Sequence, residues 1–116
     1  MSNSEDYTVV WAGMCRTLRE DELASAEAGT HPLIVSARSV GLECRVDTFG
    51  TVPQGGPLFH LLIGSCLDML GHKEGRSRLS LSKAQISAHL ERIEPALARI
   101  GYGSEAALHV LLRIQD

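Results

Sequence analysis

The sequence predicts an α+β domain in which a small, mostly antiparallel sheet packs against three or four helices. Three observations carry that expectation. Alternating or β-branched runs occupy the first half, from Tyr7 to Trp11 and from Leu33 to Phe49. Two strings, Thr17-Leu-Arg-Glu20 and Ser82-Lys-Ala-Gln85, have the form of capping boxes that open helices. The length of 116 residues and the hydrophobic content of 44% suit one core instead of two. Residues 1–6 are polar and acidic and are expected to be disordered, which leaves 7–116 as a single compact domain.

In chain order, Tyr7–Trp11 reads as a strand ended near Gly13, and residues 17–28 as a short acidic helix closed by Gly29. Leu33, Val35 and Ala37, then Leu42, Cys44, Val46 and Thr48, recur with a period of two around Gly41, the pattern of a hairpin or of two adjacent strands. Residues 50–57 form a glycine-rich loop that lacks the Gly-Lys-Ser/Thr ending of a phosphate-binding loop, with Pro57 placed to begin a helix. Leu58 to Leu70 is apolar almost all round and is expected to be a buried central helix. A basic loop, residues 72–78, leads to an amphipathic helix in which Ile86, Leu90, Ile93, Leu97 and Ile100 recur at steps of four and three, interrupted by Pro95. Ala106 to Ile114 reads as a last helix. Aromatic residues make up 4%, so Trp11, Phe49 and Phe59 are the expected bulky anchors of the core.

A net charge of −3 argues against a surface that grips nucleic acid all over. The charge is uneven: residues 1–70 hold four Arg and no Lys against nine acids, whereas 71–116 hold seven Lys and Arg against five. A basic C-terminal face made of Arg76, Arg78, Lys83, Arg92 and Arg99 is therefore the candidate binding surface for nucleic acid. The segment 76–100 carries the apolar spacing of a helix-turn-helix, and Ile86-Ser-Ala-His-Leu-Glu-Arg-Ile93 resembles the recognition helix of LuxR-type regulators. The turn glycine is missing, and Glu91 and Glu94 oppose phosphate.

Cys15, Cys44 and Cys66 show neither C-x-x-C spacing nor a histidine at zinc-finger distance, and the five histidines form no H-x-x-x-H pattern, so no metal site, disulfide framework or cofactor is indicated. The run from Gly56 to Cys66 resembles the central cysteine helix of the OsmC/Ohr peroxide-reducing family, which implies a reactive thiol at Cys66. No cysteine follows Cys66 to resolve it. Ser65 lacks the flanking glycines of a nucleophile elbow, and no residue is assigned as catalytic. The N-terminus has no basic-then-apolar signal, and no apolar run is long enough to span a bilayer, so a cytoplasmic protein without membrane contact is expected. By elimination the sequence points away from an enzyme and toward a small binding protein, of inhibitor, immunity or adaptor type, that acts through a protein partner or its own dimer. A DNA-binding regulator is the first alternative and a thiol-dependent peroxide reductase centred on Cys66 the second.

Overall fold

The computed structural model describes residues 7–51, 57–71 and 78–113. Four strands form one antiparallel sheet: β1 (Tyr7–Thr17), β2 (Glu43–Thr51), β3 (Pro57–Gly71) and β4 (Ala107–Arg113), in spatial order β2-β3-β1-β4. The helical segments fall into two connections. Between β1 and β2 lie a 3-10 turn (Glu20–Glu22), α1 (Leu23–Ala28) and α2 (Pro32–Ser39); between β3 and β4 lie α3 (Lys83–Arg99) and a 3-10 turn (Gly103–Glu105). Each connection joins parallel strands separated by one antiparallel neighbour, so two β-α-β units interleave in the ferredoxin-like topology.

The α+β class and the small antiparallel sheet agree with the sequence. The expected three or four helices reduce to these two connections, for physical reasons that differ by segment. Leu58 to Leu70 is a strand instead of a buried helix. It reads as continuously apolar because both of its faces are covered: Leu61 and Ile63 enter the cluster beneath the helices, and Leu62 enters a second cluster on the opposite face. Periodicity cannot separate such a strand from a buried helix. Ala106 to Ile114 likewise contains an edge strand, with Leu111 turned toward the second cluster while Val110 and Leu112 face outward. Residues 32–39 form a helix and not the first arm of a hairpin. Pro32 occupies its first turn, the His31 ring accepts the Leu33 N–H at 3.1 Å, and Leu33, Ile34 and Ala37 are the buried positions.

The helix at residues 17–28 is shorter than expected because β1 continues to Thr17; Gly29 closes it in the left-handed conformation, as foreseen. The second capping box forms as read: Ser82 Oγ accepts the Gln85 N–H at 3.1 Å and Gln85 Oε1 accepts the Ser82 N–H at 2.8 Å. Pro95 does not split α3, since it lies on the exposed side of one uninterrupted helix. The terminal residues 1–6 and most of the 50–57 and 72–78 loops lie outside the described residues.

The sheet is strongly bent, and glycine makes the bend. Gly13 and Gly64 sit directly opposite one another on β1 and β3 with φ of 144° and 145°, a backbone region that disfavours side chains. A Cβ on Gly13 would lie 2.0 Å from the Ile63 carbonyl oxygen, and one on Gly64 2.0 Å from that of Ala12. Close by, β3 takes an extra residue: Val10 pairs with Asp68 and Trp11 with Cys66, leaving Leu67 as a bulge that adds twist. The effect is measured by Tyr7, whose hydroxyl bonds Asp47 of β2. Tyr7 pairs with Gly71 and Asp47 with His60, positions that would lie about 36 Å apart along a straight β3. The two edge strands accordingly come within 8 Å of each other, Cα to Cα.

Two cores result. One lies between the helices and the convex face, built on Ala12, Met14, Ile34, Leu61, Ile63, Ile93 and Leu97. The other fills the concave face, where Val9, Trp11, Phe49 and Leu62 are buried although every member comes from a strand. Trp11 and Phe49 thus serve as anchors, as expected, while Phe59 is only partly buried against the helical core.

Substituting either central glycine should be far more damaging than substituting a glycine that merely needs a left-handed turn. Gly13→Ala is expected to cost more than about 3 kcal/mol in urea unfolding. Gly41, at φ 81° with nothing within 4 Å of its would-be Cβ, should cost only about 1–2 kcal/mol as Gly41→Ala. Equal costs would contradict the steric account of the bend.

Candidate functional site

The basic residues singled out in the sequence do not converge. Arg76 lies outside the described residues, and Arg78 is exposed ahead of α3. On α3, Arg92 and Arg99 are seven residues apart and share one side, whereas Lys83 emerges on the opposite side, three turns from Glu94. The face between them is buried through Ile93 and Leu97. One Arg92 amine lies 3.3 Å from His89 Nδ1, one turn back. Residues 83–99 form one helix and not two helices meeting at a turn, so the helix-turn-helix geometry is absent from this segment.

Cys66 sits on β3, so the helical setting implied by the peroxide-reductase resemblance is not formed. Burial pushes its thiol up, with Glu43 and Asp68 adding to that shift and Arg45 opposing it. The S–H donates to the Asp68 carbonyl at 3.7 Å. These surroundings favour the neutral thiol over the thiolate that nucleophilic chemistry requires. Burial also raises the thiols of Cys15 and Cys44.

The structure assembles a polar group the sequence left scattered. On the concave face, the Tyr7 hydroxyl donates to Asp47 Oδ2, and Arg45 Nη2 donates to the same oxygen at 2.9 Å and to the Tyr7 oxygen at 3.2 Å. The Arg45 guanidinium also lies 5.9 Å from the Tyr7 ring centroid. Burial alone would raise the Asp47 carboxyl, but the Tyr7 hydroxyl, the Thr48 N–H and Arg45 together hold it below the ordinary carboxylate range. For Tyr7, burial and the Asp47 carboxylate push the phenol up. The group therefore clasps β1 to β2 across the concave face as a neutral phenol, a carboxylate and a guanidinium. Alternation along β2 places Glu43, Arg45 and Asp47 on one face, which is legible; the return of Tyr7 onto them depends on the bend, which is not.

Deeper in the concave face, the indole Nε1 of Trp11 and Nδ1 of His60 are buried with no hydrogen-bond partner among the described residues. The His60 ring meets Phe49 edge to face at 5.8 Å, and burial lowers its pKa with Asp47 opposing. Opposite, His109 Nε2 lies 3.1 Å from the Gly13 carbonyl oxygen at the bend.

A second network fixes the entry to the helices. The buried Glu22 carboxylate accepts the Arg19 N–H at 3.0 Å, lies 2.9 Å from His31 Nε2 and is reached by Arg16 at 3.2 Å. Since His31 Nδ1 already accepts from Leu33, its Nε2 carries the hydrogen toward Glu22. The Arg19 N–H foremost, then His31, with Arg16 and Arg19 charges adding, hold Glu22 down at about 2.

No protein-family model, curated protein or solved structure matches the chain.

Two outcomes test these networks. Tyr7→Phe should lower stability by about 1 kcal/mol, the scale of one partly exposed hydrogen bond to a charged group, and urea unfolding measures it. The folded Glu22 carboxyl titrates below its ordinary 4.5, so its stabilisation is complete above about pH 4.5 and is lost as pH falls toward about 2. Urea midpoints taken across that window should fall less steeply in Glu22→Gln than in the wild type.

Proposed function

We propose that the chain is a non-enzymatic binding protein that acts as a homodimer, with β4 as the contact strand. The observation that carries this reading is an exposed apolar stripe. Val110 is 66% and Leu112 55% exposed, both on the outward face of an edge strand whose outer side carries no ladder among the described residues. Exposed, uncharged edge strands invite pairing, and natural monomers usually blunt them with Lys, Pro or a bulge. Between Ala107 and Leu112, β4 has none of these.

A second copy suits the strand for reasons of charge and symmetry. Antiparallel pairing about a two-fold axis at Val110 sets Val110 against itself, Leu112 against Leu108 and Arg113 against Ala107. No acidic residue lies in β4 to be left without a partner. The apolar side chains join into one stripe across both copies.

Sedimentation velocity across a concentration series tests the proposal. The wild-type chain should show a monomer–dimer equilibrium, and the double variant Val110→Lys with Leu112→Lys should remain a folded monomer with an unchanged circular dichroism spectrum. A wild type that stays monomeric up to millimolar concentration, or a double variant that still dimerises, would overturn it.

A further inference from the structure

We infer that the groove between the outer edge of β2 and the α1–α2 pair binds an extended peptide by strand addition, with an acidic peptide side chain held by Arg38. The groove encloses about 330 Å³, at the lower end of the range for specific pockets. Ala26, Glu27, Ile34 and Arg38 on the helical side and Cys44, Arg45 and Val46 on the strand side line it, and most of its accessible lining is polar. Ala26 and Ile34 are buried, so their part of the lining is fixed by the helical core.

Three features of the groove point to a peptide. First, β2 is a sheet edge that pairs only with β3 among the described residues, so its outer row of backbone N–H and C=O groups is open to a further strand. Second, a helix flanks that edge, leaving a slot with main-chain bonding on one wall and side-chain recognition on the other. Asp47, which could otherwise guard the edge, is drawn to the concave face by Tyr7. Cys44 and Val46 line the slot together with Arg45, whose guanidinium is bonded to Tyr7 and Asp47. Third, Arg38 has no ion pair or hydrogen-bonded partner among the described residues, in contrast to Arg16, Arg19 and Arg45. Its guanidinium rests where a Cβ on Gly29 would come within 2.9 Å of Nη1, so the glycine that ends α1 also makes room for it. Arg38 from α2 and Cys44 from β2 line the same groove.

The recognition follows from those parts. A strand laid along Cys44–Val46 forms main-chain hydrogen bonds and presents a carboxylate to Arg38 in the paired, planar geometry that guanidinium favours. Glu27 in the same lining disfavours a second acidic residue and selects a mixed sequence over a polyacidic one. The groove is lined by α1, α2 and β2 and by no residue of β4, the proposed dimer strand.

The test uses the full chain and a fluorescein-labelled peptide, acetyl-Thr-Val-Thr-Asp-Val-Thr-amide, titrated by fluorescence anisotropy with amide shifts followed by NMR. Saturable binding is expected, with the largest shifts at residues 43–47 and in α2. Affinity should fall at least tenfold in Arg38→Glu, or when the peptide Asp is replaced by Lys, or when alternate peptide nitrogens are methylated. Absence of saturable binding overturns the proposal, as does binding that N-methylation leaves unchanged. Binding equally tight in Arg38→Glu overturns the assigned acidic specificity. Because Arg38 is exposed, its replacement leaves the fold intact, and the N-methylated peptide tests the same point with the wild-type chain.

Discussion

The fold rests on one backbone contact, the approach of Gly13 to Gly64 at the centre of the sheet. Each glycine takes a conformation that turns its missing side chain toward the partner strand, where no side chain fits. The bend formed there, with the bulge at Leu67, curls four strands until their edges draw near. A flat sheet of the same topology would leave Trp11 on an open face. In the bent sheet, Trp11 is instead buried in a cluster whose described members all come from the strands.

That enclosure has a cost and a clasp. An indole N–H and an imidazole nitrogen are buried without partners among the described residues, each an expense of roughly 1–3 kcal/mol that the surrounding apolar packing must offset. The Tyr7–Asp47–Arg45 group ties the far edge of the sheet across the same face. The outer edge of β2 is left to the groove beneath Arg38. Meanwhile the helices protect only part of the convex face, and β4 extends beyond them with Val110 and Leu112 uncovered. The two proposed contacts thus arise from one geometry: a sheet that closes on its concave side and leaves both edges available.

Local rules served where local chemistry decides structure. Ser82 and Gln85 cap α3, Gly29 ends α1, and the buried stripe of α3 follows the spacing of Ile93 and Leu97. They failed where tertiary context decides. Leu58–Leu70 is apolar because both faces of a central strand are covered, and this erased the alternation that marks a strand. The helix α2 hides behind Leu33, Val35 and Ala37, a triplet that also fits a strand; its capping by a histidine ring is an uncommon signal. Among candidate site residues, the basic set was visible as composition, but on α3 Lys83 leaves the helix on the side opposite Arg92 and Arg99. Arg38, Tyr7 and Glu22 gain their roles only from long-range folding.

The measurement that bears most directly on this account is the fluorescence of Trp11, the only tryptophan in the chain. If the sheet bends at Gly13 and Gly64 and closes over its concave face, emission from the native protein is blue-shifted and resists quenching by iodide and acrylamide until the chain unfolds. Red-shifted native emission that is quenched as readily as in the unfolded chain would mean that the concave face is open, and would contradict the closed sheet on which the clasp and both edge contacts depend.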